Sequence, residues 1–160
     1  MQHFTLFKAF SNGGRIEIMD RFVKKSDYED LLAIALFFAQ QGNTVLIPTE
    51  VHYKDAKYKQ IFGNLIGTVY ERKCPDLIIA GEFYEYESFV PPFSKKKISH
   101  MLTQGTQQAS RVIINNNKDI EDRYILNNIL KRLSDKTFKY DIDEVWLYEN
   151  GDVRLIYKKQ

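Results

Sequence analysis

A chain of 160 residues with 44% hydrophobic and 14% aromatic content is long enough for a real core and too apolar to be disordered. A formal net charge of +2 gives no global field for nucleic acid, so any basic surface must be local. The single cysteine, Cys74, excludes an intramolecular disulfide and fits a reducing compartment. The opening Met1-Gln2-His3-Phe4-Thr5-Leu6 lacks the basic-then-apolar layout of a secretion signal. The longest apolar run, Leu31 to Ala39, is too short to cross a bilayer. One domain over residues 1–160, with no membrane and a cytoplasmic location, is the expectation.

In chain order, residues 4–10 and 15–19 predict an N-terminal hairpin about Ser11-Asn12-Gly13-Gly14, an extension that ends near residue 25. Ser26 followed by Glu29 has capping-box spacing and predicts a helix over about 27–41, closed by Gly42. Thr44 to Ile47 reads as a short buried strand that Pro48 ends. Residues 50–73, with five Lys and Arg, predict an irregular helix and loop. The stretch Pro75 to Glu87 reads as an apolar strand, a turn at Ala80-Gly81 and a second strand of aromatics and carboxylates.

Pro91-Pro92 breaks the chain. A helix over about 95–109 follows, with Ile98, Met101, Leu102 and Ala109 inward and Lys97, His100, Gln104 and Gln108 on its other face. Arg111 to Asn115 is a strand. Asp119 is expected to cap a helix over about 120–134, burying Tyr124, Ile125, Ile129, Leu130 and Leu133. A last hairpin pairs 144–148 with 152–157 around Glu149-Asn150-Gly151. This order predicts an α+β fold, a mixed α/β sandwich.

The chemistry concentrates in the acidic hairpin. With a turn at residues 80 and 81, Asp76 stands opposite Glu85, and alternation puts Glu87 on the same face. Carboxylates about 5 Å apart repel by about 3 kcal/mol at an effective dielectric near 20. A cation, a shared proton or a ligand would offset that, which makes Asp76 and Glu85 candidate ligands for a divalent ion. Glu87 is placed to orient or deprotonate an attacking water. The competing reading is that Glu82, Glu85 and Glu87 solubilise an edge strand.

Pro75-Asp76, the hairpin and Glu85-x-Glu87 resemble the PD-(D/E)xK nuclease signature, in the family's order of helix, strand, hairpin, helix, strand. The stretch from Pro75-Asp76 through Gln107-Gln108-Ala109-Ser110-Arg111-Val112-Ile113-Ile114 is similar to the C-terminal tRNA-nuclease domain of contact-dependent growth-inhibition (CdiA-type) toxins. So is the segment in which Glu29 is followed by Ala35, Gly42 and Val45; together they cover about residues 27–157. The resemblance implies a PD-(D/E)xK-like core with an added helix and C-terminal hairpin, and metal-dependent cleavage of nucleic acid, RNA or tRNA before DNA. It implies Mg²⁺, Mn²⁺ or Zn²⁺ on Asp76 and Glu85, with Glu29 completing the site, and an immunity or inhibitor protein as partner. Glu87 stands where the family usually has lysine, and Lys97 is the nearest replacement for that positive charge.

Gln104 and Gln108 are candidate substrate contacts, since an amide both donates and accepts. His100 is a candidate acid or base. Lys96, within Lys95-Lys96-Lys97, is a candidate phosphate contact. A solvated helix face accounts for the same residues without function. Two alternatives to the metal nuclease stay open: a metal-independent, barnase-like ribonuclease using His100, Thr103 and Arg111, and a nuclease fold that has lost activity and only binds nucleic acid or protein. His3 and His52 have no partner at metal-ligand spacing. The aromatics at 83, 84, 86 and 89 are candidates for base stacking or, more simply, for core.

Overall fold

A computed structural model describes residues 2–160. These residues form eight strands and four α-helices in a mixed α/β fold, the class expected from the sequence. The chain divides into two compact units, residues 1–83 and 84–160.

In the first unit, β1 (Phe4–Ala9) and β2 (Arg15–Met19) form the antiparallel hairpin that the Asn-Gly-Gly turn predicts. The hairpin is no appendage, because β2 also pairs in parallel with β3 (Thr44–Ile47), Ile16 beside Val45 and Ile18 beside Ile47. Parallel neighbours need a crossover, and α1 (Tyr28–Gln40) supplies it. The expected capping box does not form. Asp27 is the cap, without a side-chain capping bond, and Ser26 lies one residue too early. Glu29 and Asp30 instead place negative charge in the first turn, where the helix dipole favours it.

The 50–73 stretch holds α2 (Ala56–Phe62) and one 3₁₀ turn at Gly63–Leu65. Asp55 caps α2 by accepting from the Lys57 N–H at 2.9 Å. β4 (Leu77–Ile79) pairs antiparallel with β3. Ile16, Ile34, Ala35, Val45, Ile47 and Leu77 are fully shielded and make this unit's core. Cys74 is half-buried and its thiol approaches the Val51 carbonyl at 3.3 Å. Burial pushes that thiol's pKa up, as befits a small core residue rather than a nucleophile. Ala80 and Gly81 both have positive φ, the geometry of a two-residue primed turn, and lead into β5 (Glu82–Glu87).

The second unit runs from Tyr84. β5 pairs in parallel with β6 (Arg111–Asn115) across α3 (Lys97–Thr106), and β6 pairs in parallel with β7 (Glu144–Glu149) across α4 (Asp122–Ser134). β8 (Asp152–Lys158) returns antiparallel to β7 through Asn150-Gly151, both at positive φ. The register sets Glu85, Val112 and Val145 in one row and Glu87, Ile114 and Leu147 in the next. The core joins these valines, leucine and isoleucine to Ile98, Met101 and Leu102 of α3 and Ile125 and Ile129 of α4.

The opposite face of these strands carries a polar network centred on Glu144. Its carboxylate accepts from Trp146 Nε1 at 2.7 Å, Arg111 Nε at 2.8 Å and the Tyr84 hydroxyl at 3.1 Å.

Two expectations for α4 need correction. The helix starts at Asp122 with Glu121 as cap, and Asp119 sits before it at positive φ. Leu130 and Leu133 are 55% and 46% exposed, whereas Asn128 is buried. Helical spacing explains this: residues 125, 128 and 129 lie on one stripe, and 130 is turned well away from it.

Arg154 on β8 fastens α4 to the β7–β8 hairpin, donating to both Asp122 oxygens at 2.6 and 2.8 Å and to Glu149. These hydrogen bonds hold both carboxyls below the usual carboxylate range. A depressed acid stabilises the fold above its unfolded pKa, and that contribution disappears as pH falls through the folded value. Urea unfolding at pH 7 and again below about pH 4 should therefore show a smaller acid loss in Arg154→Met than in the unsubstituted chain.

Candidate functional site

A cleft of about 330 Å³ opens in the second unit between the end of β5 and α3, within the size range of small-ligand pockets. Its walls include Glu87, Lys97, His100 and Gln104, with Phe89 and Met101 supplying apolar surface. Lys97, His100 and Gln104 meet there because positions i, i+3 and i+7 lie on one helical stripe. Glu87 reaches it because strand alternation points it to the side that α3 covers, in the row of Ile114 and Leu147.

Gly105 decides how closely the helix can approach. A Cβ at this position would lie 2.7 Å from Val112 Cγ1 and 3.1 Å from Glu87 Cγ. The bare backbone of α3 thus rests on the Val112 side chain, and the stem of Glu87 runs beneath it. Glu87 is half-buried, while His100 and Gln104 are exposed. Lys97 donates from its ammonium to the Val90 carbonyl, which holds its charge at the rim. A carboxylate, an imidazole, an ammonium and an amide therefore line one cavity.

The other predicted residues are placed as follows. Glu85 is half-buried and on the same side of β5 as Glu87. Lys96 is exposed and caps α3 without a side-chain bond. Gln108 lies beyond the helix, which ends at Thr106, so it does not extend the Lys97–His100–Gln104 stripe. Asp76 is half-buried just before β4, and Glu29 is exposed on α1, both in the first unit. Among the described residues, no three His, Cys, Asp or Glu side chains gather as a metal-holding group.

The ribonuclease set of His100, Thr103 and Arg111 is not assembled in the cleft either. Arg111 is committed to Glu144, with Asp143 at 3.8 Å. The Thr103 hydroxyl donates to the Ser99 carbonyl at 3.0 Å and accepts from Arg132. Sequence reasoning overlooked Ser88 and Val90 on the cleft wall and, apart from Thr103, the surround of Arg132. Only Arg132's own charge, on an otherwise amphipathic helix, signalled the latter.

No family model, curated protein or solved structure matches the chain. Among the described residues, no helix is long and apolar enough to cross a membrane.

Gly105→Ala tests the close approach. Alanine favours a helix by up to about 1 kcal/mol over glycine, but here its methyl meets Val112. A net loss of about 1–3 kcal/mol is expected by chemical denaturation. Pairing it with Val112→Ala should give less than the sum of the two single losses, because the second change removes the collision.

Proposed function

We propose that the chain hydrolyses phosphodiester bonds in nucleic acid, RNA or tRNA before DNA, as a metal-dependent nuclease with a PD-(D/E)xK-like core. The observation that carries this reading is the cleft that brings Glu87, Lys97, His100 and Gln104 together. Lys97 shares the cavity with Glu87, and so offers the positive charge that the signature's lysine would otherwise bring. The pairings also agree with such a core: α1 leads into antiparallel β3 and β4, and α3 links parallel β5 and β6.

In this reading Glu87 accepts the proton of the attacking water and His100 returns a proton to the departing sugar oxygen. Lys97 offsets charge that builds on the non-bridging phosphate oxygens. Gln104 contacts a base edge or the backbone. The divalent ion comes from the sequence resemblance, with Asp76 and Glu85 as its carboxylates; hard oxygen donors of this kind suit Mg²⁺ or Mn²⁺. When bound, it would supply Lewis acidity at the phosphate. A toxin-like nuclease of this kind also needs an inhibitor protein in the cell that makes it.

Cleavage of end-labelled tRNA and of a matched DNA by the full chain tests the proposal. With MgCl₂, RNA is cut, and Glu87→Gln or His100→Ala lowers the rate by about 10²-fold or more. Asp76→Ala and Glu85→Ala abolish cleavage, as does EDTA. Undiminished cleavage by both of these carboxylate variants would overturn the metal mechanism. Full activity in EDTA with a 2′,3′-cyclic phosphate product would assign the metal-independent ribonuclease instead. Nucleic-acid binding with no cleavage under any condition would assign the inactive nuclease fold.

A further inference from the structure

A second cleft in the residue 84–160 unit, about 400 Å³, lies between α3 and α4, with Ser99, Thr103, Asn128, Lys131, Arg132 and Asp135 in its walls. Arg132 dominates it. Its Nη2 donates to Ser99 Oγ and Thr103 Oγ1, each at 2.8 Å, and to the Ser99 carbonyl, while Nη1 donates to the Asn128 carbonyl at 2.9 Å. All of these acceptors are neutral. No ion pair among the described residues includes Arg132 or Lys131.

The Arg132 Nε–H is shielded from solvent and has no hydrogen-bond partner. A guanidinium carries five N–H donors and a permanent charge, and burying either without compensation is costly. Burial also pulls its pKa down from the free value, with no acid opposing the shift. Asp135 is the acid in the wall, but its Oδ1 is taken by the Thr137 N–H at 2.9 Å and the Thr137 hydroxyl at 2.7 Å. A purely structural clamp between α3 and α4 would account for the Ser99 and Thr103 bonds. It leaves two cations in the cleft wall, Arg132 and Lys131, with no ion-pair partner among the described residues.

We propose that this cleft is an oxyanion site that takes one phosphate group, with Arg132 as its principal ligand and Ser99, Thr103 and Lys131 around it. Charge-assisted bonds from a guanidinium fork are the strong form of phosphate recognition. The site rests on the nuclease reading only for the source of the phosphate. Ser99 and Thr103 lie one helical position before His100 and Gln104, on the adjoining stripe of α3. A phosphate held by Arg132 is thus a neighbour, along a bound strand, of the one presented to the Glu87 cleft. The other source is free inorganic phosphate.

The test is a ¹⁵N spectrum of arginine side chains in the full chain, titrated with sodium phosphate against chloride at constant ionic strength. The Arg132 Nε–Hε resonance should move saturably with phosphate and not with chloride. Arg132→Lys and Thr103→Val should each weaken phosphate binding, by about tenfold. A folded, unsubstituted chain whose Arg132 resonance ignores phosphate, or answers chloride equally, would overturn the proposal without any variant having to fold. Adding a 2′-O-methyl RNA oligonucleotide separates the sources. If it moves the same resonance and competes with phosphate, the ligand is a backbone phosphate. If it leaves the resonance alone while phosphate still moves it, the ligand is the free anion. A chain that cuts no nucleic acid but keeps the phosphate response loses the nuclease reading and retains this site.

Discussion

The contact between the backbone of α3 at Gly105 and the side chain of Val112 governs the second unit, because it sets how low the helix rides over β5 and β6. With the helix at that height, Ile98, Met101 and Leu102 reach the row of Val112 and Ile114 and close a dry core. The same descent brings Glu87 beneath the helix at the end of its strand and leaves the cleft beside it. A larger side chain at residue 105 would lift the helix, loosen the core and widen the gap between Glu87 and His100. Packing and candidate chemistry thus depend on one missing methyl group.

Carboxylates in this unit sit in different surroundings. Glu144 is held by an indole N–H, a guanidinium and a phenol, so its charge is answered by protein donors. Such a group, hydrogen-bonded on every side, fixes the position of its neighbours and has little left to offer a ligand. Glu149 is similar, shared between Arg154 and Asn116. Glu87 lines the cleft between the end of β5 and α3, together with Lys97 and His100. Arg132 is the cationic counterpart, a charge that the fold surrounds with neutral oxygens only.

Much of the fold was legible because its signals are local. Thr44–Ile47 and Arg111–Asn115 are short β-branched runs ended by Pro and Asn, and both turns at positive φ carry a glycine in second place. The stripe of Lys97, His100 and Gln104 followed from helical spacing alone. What escaped were properties that tertiary contacts decide. Ser26 had the right spacing for a capping box, yet the chain enters α1 one residue later. Leu130 and Leu133 looked like core, yet α4 docks on the stripe through Asn128, whose amide is satisfied by the Tyr124 carbonyl. The Arg132 cleft was invisible because its members come from two helices about thirty residues apart. The metal set of Glu29, Asp76 and Glu85 rests on pattern alone; among the described residues no three His, Cys, Asp or Glu side chains gather as a metal-holding group.

β1 has a consequence for behaviour at high concentration. It stands at the end of the strand order and exposes Leu6 and Phe7, almost half of each side chain, as a template on which a second molecule could pair. Its ladder is interrupted by a bulge between Leu6 and Lys8, and Lys8 brings a charge to the same spot. Irregular backbone and a lysine at an edge both discourage strand addition. The bulge therefore acts as a guard against self-association, and straightening it would turn that edge into an adhesive one.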